Sequence, residues 1–136
     1  MQADPLSRPG AAPPLRAPAW VREIPSWPPL TPEPLPSQHF VEPHVYELRI
    51  NPEARAAYTE LTSATRFEPG TRIVMSLRHA RTGQRGLSLA MEREREGWCF
   101  WVFDRAGVVR GSGSLEPCVG CHAGAPAAPL FGLPMR

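Results

Sequence analysis

Apolar residues recur at every second position in three separate runs of this chain, the signature of half-buried β-strands. In His44–Ile50 the alternating set is Tyr46, Leu48 and Ile50; in Thr71–His79 it is Ile73, Met75 and Leu77; in Leu87–Glu92 it is Leu87, Leu89 and Met91. A fourth run, Trp98–Phe103, is apolar on both faces and is expected to be a central strand. Val108–Arg110 reads as a short last strand. Between the first two runs, Asn51–Pro52–Glu53 supplies an N-cap, a proline at the first helical position and an acid in the first turn. Ala54, Ala57, Tyr58 and Leu61 then follow at helical spacing, predicting a short amphipathic helix. Glu68–Pro69–Gly70, Arg81–Gly86 and Asp104–Gly107 are turn signals. Strand, helix and then a meander of strands give an α+β class: a mainly antiparallel sheet with one or two short helices.

Residues 1–38 break the pattern. They hold eleven of the eighteen prolines, which remove amide donors and fix φ. This stretch is expected to be a proline-rich arm or tether, with the folded domain spanning 39–136. Trp20, Val21, Ile24 and Trp27 are apolar for a free linker, so the arm is expected either to lie across the globular part or a partner subunit, or to be disordered.

Composition excludes some roles. The net charge is only +2, which gives no basic surface for nucleic acid or an anionic membrane, and no run is long enough to span a bilayer. All basic side chains are arginine; lysine is absent. Three cysteines are too few for a disulfide scaffold, and Cys99 lies within an aromatic strand, where it reads as a buried small hydrophobe.

The other two belong to Cys118–Val119–Gly120–Cys121–His122. C-x-x-C-H is the attachment pattern of c-type haem: Cys118 and Cys121 form thioethers to the porphyrin and His122 ligates the iron. A zinc site would need a second ligand pair, and a thioredoxin-like redox pair would need a βαβ setting; the sequence offers neither. Such attachment takes place outside the cytoplasm, so a periplasmic or exported protein is expected. Met1–Pro5 shows no signal peptide, so either the signal has been removed or the haem reading fails. Only fourteen residues follow His122, and the sole methionine among them, Met135, is a poor sixth ligand.

In order along 39–131, Val45–Tyr46 through Tyr58, Glu68–Val74, Gly86–Leu87, Gly97–Trp98 with Phe100 and Phe103, and Cys118–His122 resemble the cytochrome P460 family, which includes the β-sheet cytochromes c′-beta. The resemblance implies a homodimer of mainly antiparallel β fold, each chain holding one five-coordinate haem c through His122. It further implies a distal side open to hydroxylamine in the enzymes or nitric oxide in the c′-beta proteins. The family enzymes cross-link a lysine to the porphyrin. The matching position is Met75, so that cross-link is excluded here. The register puts Ser88 where those enzymes carry a proton-transferring carboxylate, while Glu92, Glu94 and Glu96 read as a solvated strand end and turn. Met75, Phe67, Phe100 and Ser88 are therefore the distal candidates, each with an ordinary packing role as the alternative.

Three functions stay open: a haem protein binding a small gas such as nitric oxide, an electron-transfer cytochrome whose sixth ligand is Met75 or a histidine, and an oxidoreductase acting on hydroxylamine or a related nitrogen compound without the cross-link. Ligand binding or electron transfer is favoured over hydroxylamine oxidation. His39, His44 and His79 are ligands by chemistry but sit where surface histidines commonly do. A redox partner protein and a role for the arm within a larger complex are further expectations.

Overall fold

The computed structural model describes residues 16–37, 39, 42–113, 115 and 122. They form one antiparallel sheet of six strands in chain order: β1 (Leu35–Ser37), β2 (His44–Ile50), β3 (Arg72–His79), β4 (Arg85–Glu94), β5 (Gly97–Phe103) and β6 (Val109–Gly113). The class is α+β, with the helical part confined to short pieces. Among the described residues no helix is long and apolar enough to cross a membrane.

Strand alternation separates two apolar faces. The front carries Tyr46, Leu48, Ile50, Ile73, Met75, Met91, Trp98 and Phe100. The back carries Val74, Ala90, Trp101, Phe103 and Val109. Trp98–Phe103 is apolar on both sides because β5 feeds both clusters, although it is the fifth of six strands rather than a middle one. Cys99 is buried and its thiol donates to the Phe100 carbonyl at 3.6 Å; burial pushes its pKa up, as befits a packed hydrophobe.

After β2 the chain makes a single 3₁₀ turn, Pro52–Ala54, and the five-residue helix α1 (Arg55–Thr59). Ala54, Tyr58 and Leu61 cover one end of the front face. Asn51 does not cap this helix. Its Oδ1 accepts from the Arg72 amide at 2.7 Å, and its Nδ2 donates to Gly70 O at 3.2 Å and Glu53 Oε2 at 3.0 Å. Nearly buried, Asn51 thus brackets the end of β2 to the start of β3. Gly70, at φ +95°, makes the turn that brings β3 back under it.

The folded unit reaches back well before His39. Ala19–Ser26 is a 3₁₀ helix, with Trp20 and Trp27 buried in the back cluster. At its two ends Val21 N donates to Pro18 O and Trp27 N to Ile24 O, while Pro25, inside the helix, has no N–H that needs an acceptor. The Arg49 Nε–H donates to Trp27 O at 3.0 Å and Arg55 Nη1 to Pro28 O at 3.1 Å. Leu30 N then donates to Leu48 O at 2.8 Å, and β1 pairs Leu35 with Tyr46 and Ser37 with His44 at the sheet edge. From Ala19 the arm is therefore part of the sheet's packing. Pro36 lies in an edge strand, where its missing donor costs little.

Candidate functional site

Of the C-x-x-C-H motif, His122 is described; Cys118 and Cys121 lie outside the described residues. The His122 imidazole meets the Phe100 ring edge-to-face, 5.4 Å between centroids. It therefore lies over the front face, at β5. Phe67 packs against the same cluster, edge-to-face with Trp98 at 5.8 Å. Met75 stands on this face too, half-buried between its register partners Leu48 and Leu89. The topology thus gathers three of the four distal candidates with the candidate iron ligand.

Ser88 does not join them. It pairs with Ser76 on one side and Phe103 on the other, in phase with Ala90 and opposite in phase to Met91, so it belongs to the back face. A register displaced by one residue moves a side chain through the sheet. The β4 residue facing the front beside Met75 is Leu89. Sequence alternation carried the signal for this, since Leu87, Leu89 and Met91 share one phase.

The carboxylates were also misread in part. Glu92 is not solvated: its side chain is 15% exposed and lies on the back, with Oε2 accepting from Arg72 Nε at 3.0 Å and Oε1 from Trp101 Nε1 at 3.2 Å. Within β2–β5 no carboxylate lies in phase with the front residues.

The front cluster includes two phenols, Tyr46 and Tyr58. Burial, and secondarily the neighbouring Tyr46, pushes the Tyr58 hydroxyl far above the ordinary tyrosine value; burial raises Tyr46 as well. Both stay neutral at physiological pH. His39 interacts electrostatically with His122. Burial, then the His122 charge, lowers its pKa, and its ring Nδ1 sits 3.3 Å from Ser37 Oγ. His44 and His79 face each other across β2 and β3 at the strand ends, with rings 5.6 Å apart.

The two faces differ in how well they are covered. On the back, the N-terminal helix closes over the sheet. On the front, Tyr46, Leu61, Phe67, Met75, Trp98 and Leu115 remain only half-buried around a buried centre. A flat apolar group held at His122 would cover such a surface, and a porphyrin fits its apolar wall and imidazole; Arg93, opposite Trp98, adds a positive charge in the same phase. Among the described residues no group of three His, Cys, Asp or Glu side chains is arranged to hold a metal ion by itself. A separate groove of about 510 Å³ runs between the N-terminal helix and the Asn51 and Gly70 turns; it is lined by Glu23, Glu53, Arg66, Glu68 and Arg72 and does not include His122.

No protein-family model, no curated protein and no solved structure matches this chain.

Proposed function

We propose that the chain is a periplasmic mono-haem c-type cytochrome of the P460 and c′-beta kind, binding a small neutral gas such as nitric oxide. The observation that carries this reading is the coincidence of the C-x-x-C-H motif with a half-covered apolar face whose Phe100 touches His122. Cys118 and Cys121 would anchor the porphyrin and His122 would ligate its iron. When bound, the haem supplies an iron with one strong protein ligand and one position for a small molecule. The chain's own part is to shape that position. Phe67, Phe100, Met75 and Leu89 make it apolar, which disfavours charged ligands and favours neutral diatomics. With no lysine to cross-link and no carboxylate in phase with the front residues of β2–β5, hydroxylamine oxidation by the family's route is disfavoured.

The test is a visible absorption spectrum of the protein matured in a periplasm that attaches c-type haem, oxidised and reduced, with and without CO and NO. A covalent, five-coordinate, high-spin haem that takes up both gases is expected. A chain recovered without haem would overturn the reading. A low-spin spectrum indifferent to CO would replace it by the second one, electron transfer with Met75 as sixth ligand. That alternative is supported by the placement of Met75 on the front face, and there Met75→Ala would change the spectrum and lower the potential.

A further inference from the structure

The back of the sheet holds a group of aromatic side chains with unequal electrostatic surroundings. Trp20 meets Trp101 edge-to-face at 6.2 Å and stacks on Trp27 at 6.4 Å, while Trp101 stacks on Phe103 at 6.0 Å. The Arg72 guanidinium lies 5.4 Å from the centre of the Trp20 ring, and the buried Trp20 Nε1 has no hydrogen-bond partner among the described residues. Trp101 is different: its indole N–H donates to Glu92 Oε1 at 3.2 Å.

These surroundings act oppositely on electron removal. A cation over Trp20 opposes a positive charge on that ring, and its unpaired N–H has nowhere to send a proton. A carboxylate on the Trp101 N–H both favours positive charge and accepts the proton, so the charge left behind rests on Arg72 and not on the indole. Trp98 packs on Phe67 at the front and has no carboxylate acceptor among the described hydrogen bonds. Of Trp20, Trp98 and Trp101, Trp101 is thus the one whose surroundings favour oxidation. Its chain neighbour is Phe100, whose ring touches His122 on the other face.

We propose that Trp101 is a proton-coupled one-electron donor, passing its electron across β5 toward the group held at His122 and its proton to Glu92. In this step the Trp101 N–H bond breaks and an O–H bond forms on Glu92 Oε1. Hydrogen peroxide takes two electrons on reduction to water; a haem held at His122 would give up both, Trp101 would return one and a soluble reductant would supply the second. The products are a neutral indolyl radical and a neutral Glu92, whose ion pair with Arg72 is thereby released. One electron from a soluble reductant, with the proton returned by Glu92, restores the pair. An open haem meets peroxides as well as gases, and this route draws the damage out of its pocket. The destination of the electron rests on the haem reading above; the choice of Trp101 and Glu92 does not.

Two measurements on the full chain test it, using Trp101→Phe and Glu92→Gln, each first checked for native far-ultraviolet circular dichroism. In the first, the haem-free chain is oxidised with azidyl radicals and the modified tryptophan is located by peptide mass spectrometry. Oxidation concentrated at Trp101 in the wild type and dispersed in Glu92→Gln is expected. Oxidation spread evenly over the wild-type tryptophans would overturn the proposal. In the second, the haem-loaded chain is mixed with hydrogen peroxide and freeze-quenched for electron paramagnetic resonance. A tryptophanyl signal is expected, absent in Trp101→Phe and weakened in Glu92→Gln. An unchanged signal in both variants would overturn it. Should the chain carry no haem, the haem reading fails and the route to His122 fails with it, while the first measurement still decides the Trp101–Glu92 pair.

Discussion

Replacing Trp20 by alanine is the most direct way to ask whether the N-terminal arm belongs to the fold. Trp20 is 5% exposed and touches Trp27, Trp101, Phe103 and Arg72. A tryptophan ring of this kind removes about 150–250 Å² from water. At about 25 cal/mol per Å² that is worth about 4–6 kcal/mol, an upper figure because the unfolded chain already hides some of it. Large-to-alanine core substitutions at aromatic sites cost about 3–5 kcal/mol, consistent with that figure. Trp20 also carries an unpaired buried indole N–H, and its removal returns part of the loss, on the order of 1 kcal/mol. The expected net loss is about 3 kcal/mol, a large share of the 5–15 kcal/mol typical of a domain. Trp20→Phe keeps an aromatic ring, drops the unpaired donor and is expected to cost less than about 2 kcal/mol. Urea unfolding followed by tryptophan fluorescence and by circular dichroism reads both variants. With a slope of about 1–3 kcal/mol per M, the alanine midpoint falls by about 1–3 M. A midpoint unmoved by Trp20→Ala, with the sheet's circular dichroism intact, would mean that the arm rests on the sheet without supporting it.

Asn51→Ala leaves the buried Arg72 amide and Gly70 carbonyl without their side-chain partner; a loss of about 2–3 kcal/mol is expected in the same urea titration. Asp104 accepts from the amides of Val108 and Ala106 and from the Arg110 guanidinium, and these hold its carboxyl below the usual aspartate value. A depressed folded pKa stabilises above the unfolded value, about 3.9, and that stabilisation is lost as pH falls through the folded value. The gap between wild type and Asp104→Asn, which keeps an acceptor oxygen but does not titrate, should therefore close as the urea midpoint is followed from pH 5 to pH 2; a constant gap would refute the assignment. At the proposed haem site, Leu89→Ala should alter CO or NO affinity while Ser88→Ala leaves it unchanged, read by spectrophotometric titration; the reverse order would return Ser88 to the pocket.

Strands β2 to β5 were legible because each buries at least one face, and burial imposes a period of two that no other element reproduces. His44–Ile50 is read to the residue, and the others differ only at ends where the apolar pattern fades into turn residues. The arm was half legible: Trp20 and Trp27 flagged burial, but Pro18 and Pro25 hide the 3₁₀ helix. Asn51 looked like a helix cap because caps and turn brackets use the same short acceptor; only the return of β3 beneath it tells them apart. Glu92 looked solvated because its partners Arg72 and Trp101 lie on neighbouring strands, at separations that local pattern does not sense. Ser88 was a phase error within a correctly placed strand. His122 was singled out by the C-x-x-C-H spacing alone, whereas Phe100, whose ring it meets, was one of several equivalent aromatics until the topology placed it.

The strands pair in strict chain order, and this shapes how the molecule forms. Each strand pair closes from sequence neighbours, so the sheet can zip as a series of local hairpins with little loop entropy lost at each step. The arm is the exception: Trp20 belongs to the first described segment, yet it seats on Trp101 and Phe103 of the fifth strand. It cannot dock until that strand exists, although it leaves the ribosome first. Docking of the arm is therefore the late, long-range event in folding. A refolding experiment should separate it as a slower fluorescence phase that follows the circular dichroism of the sheet.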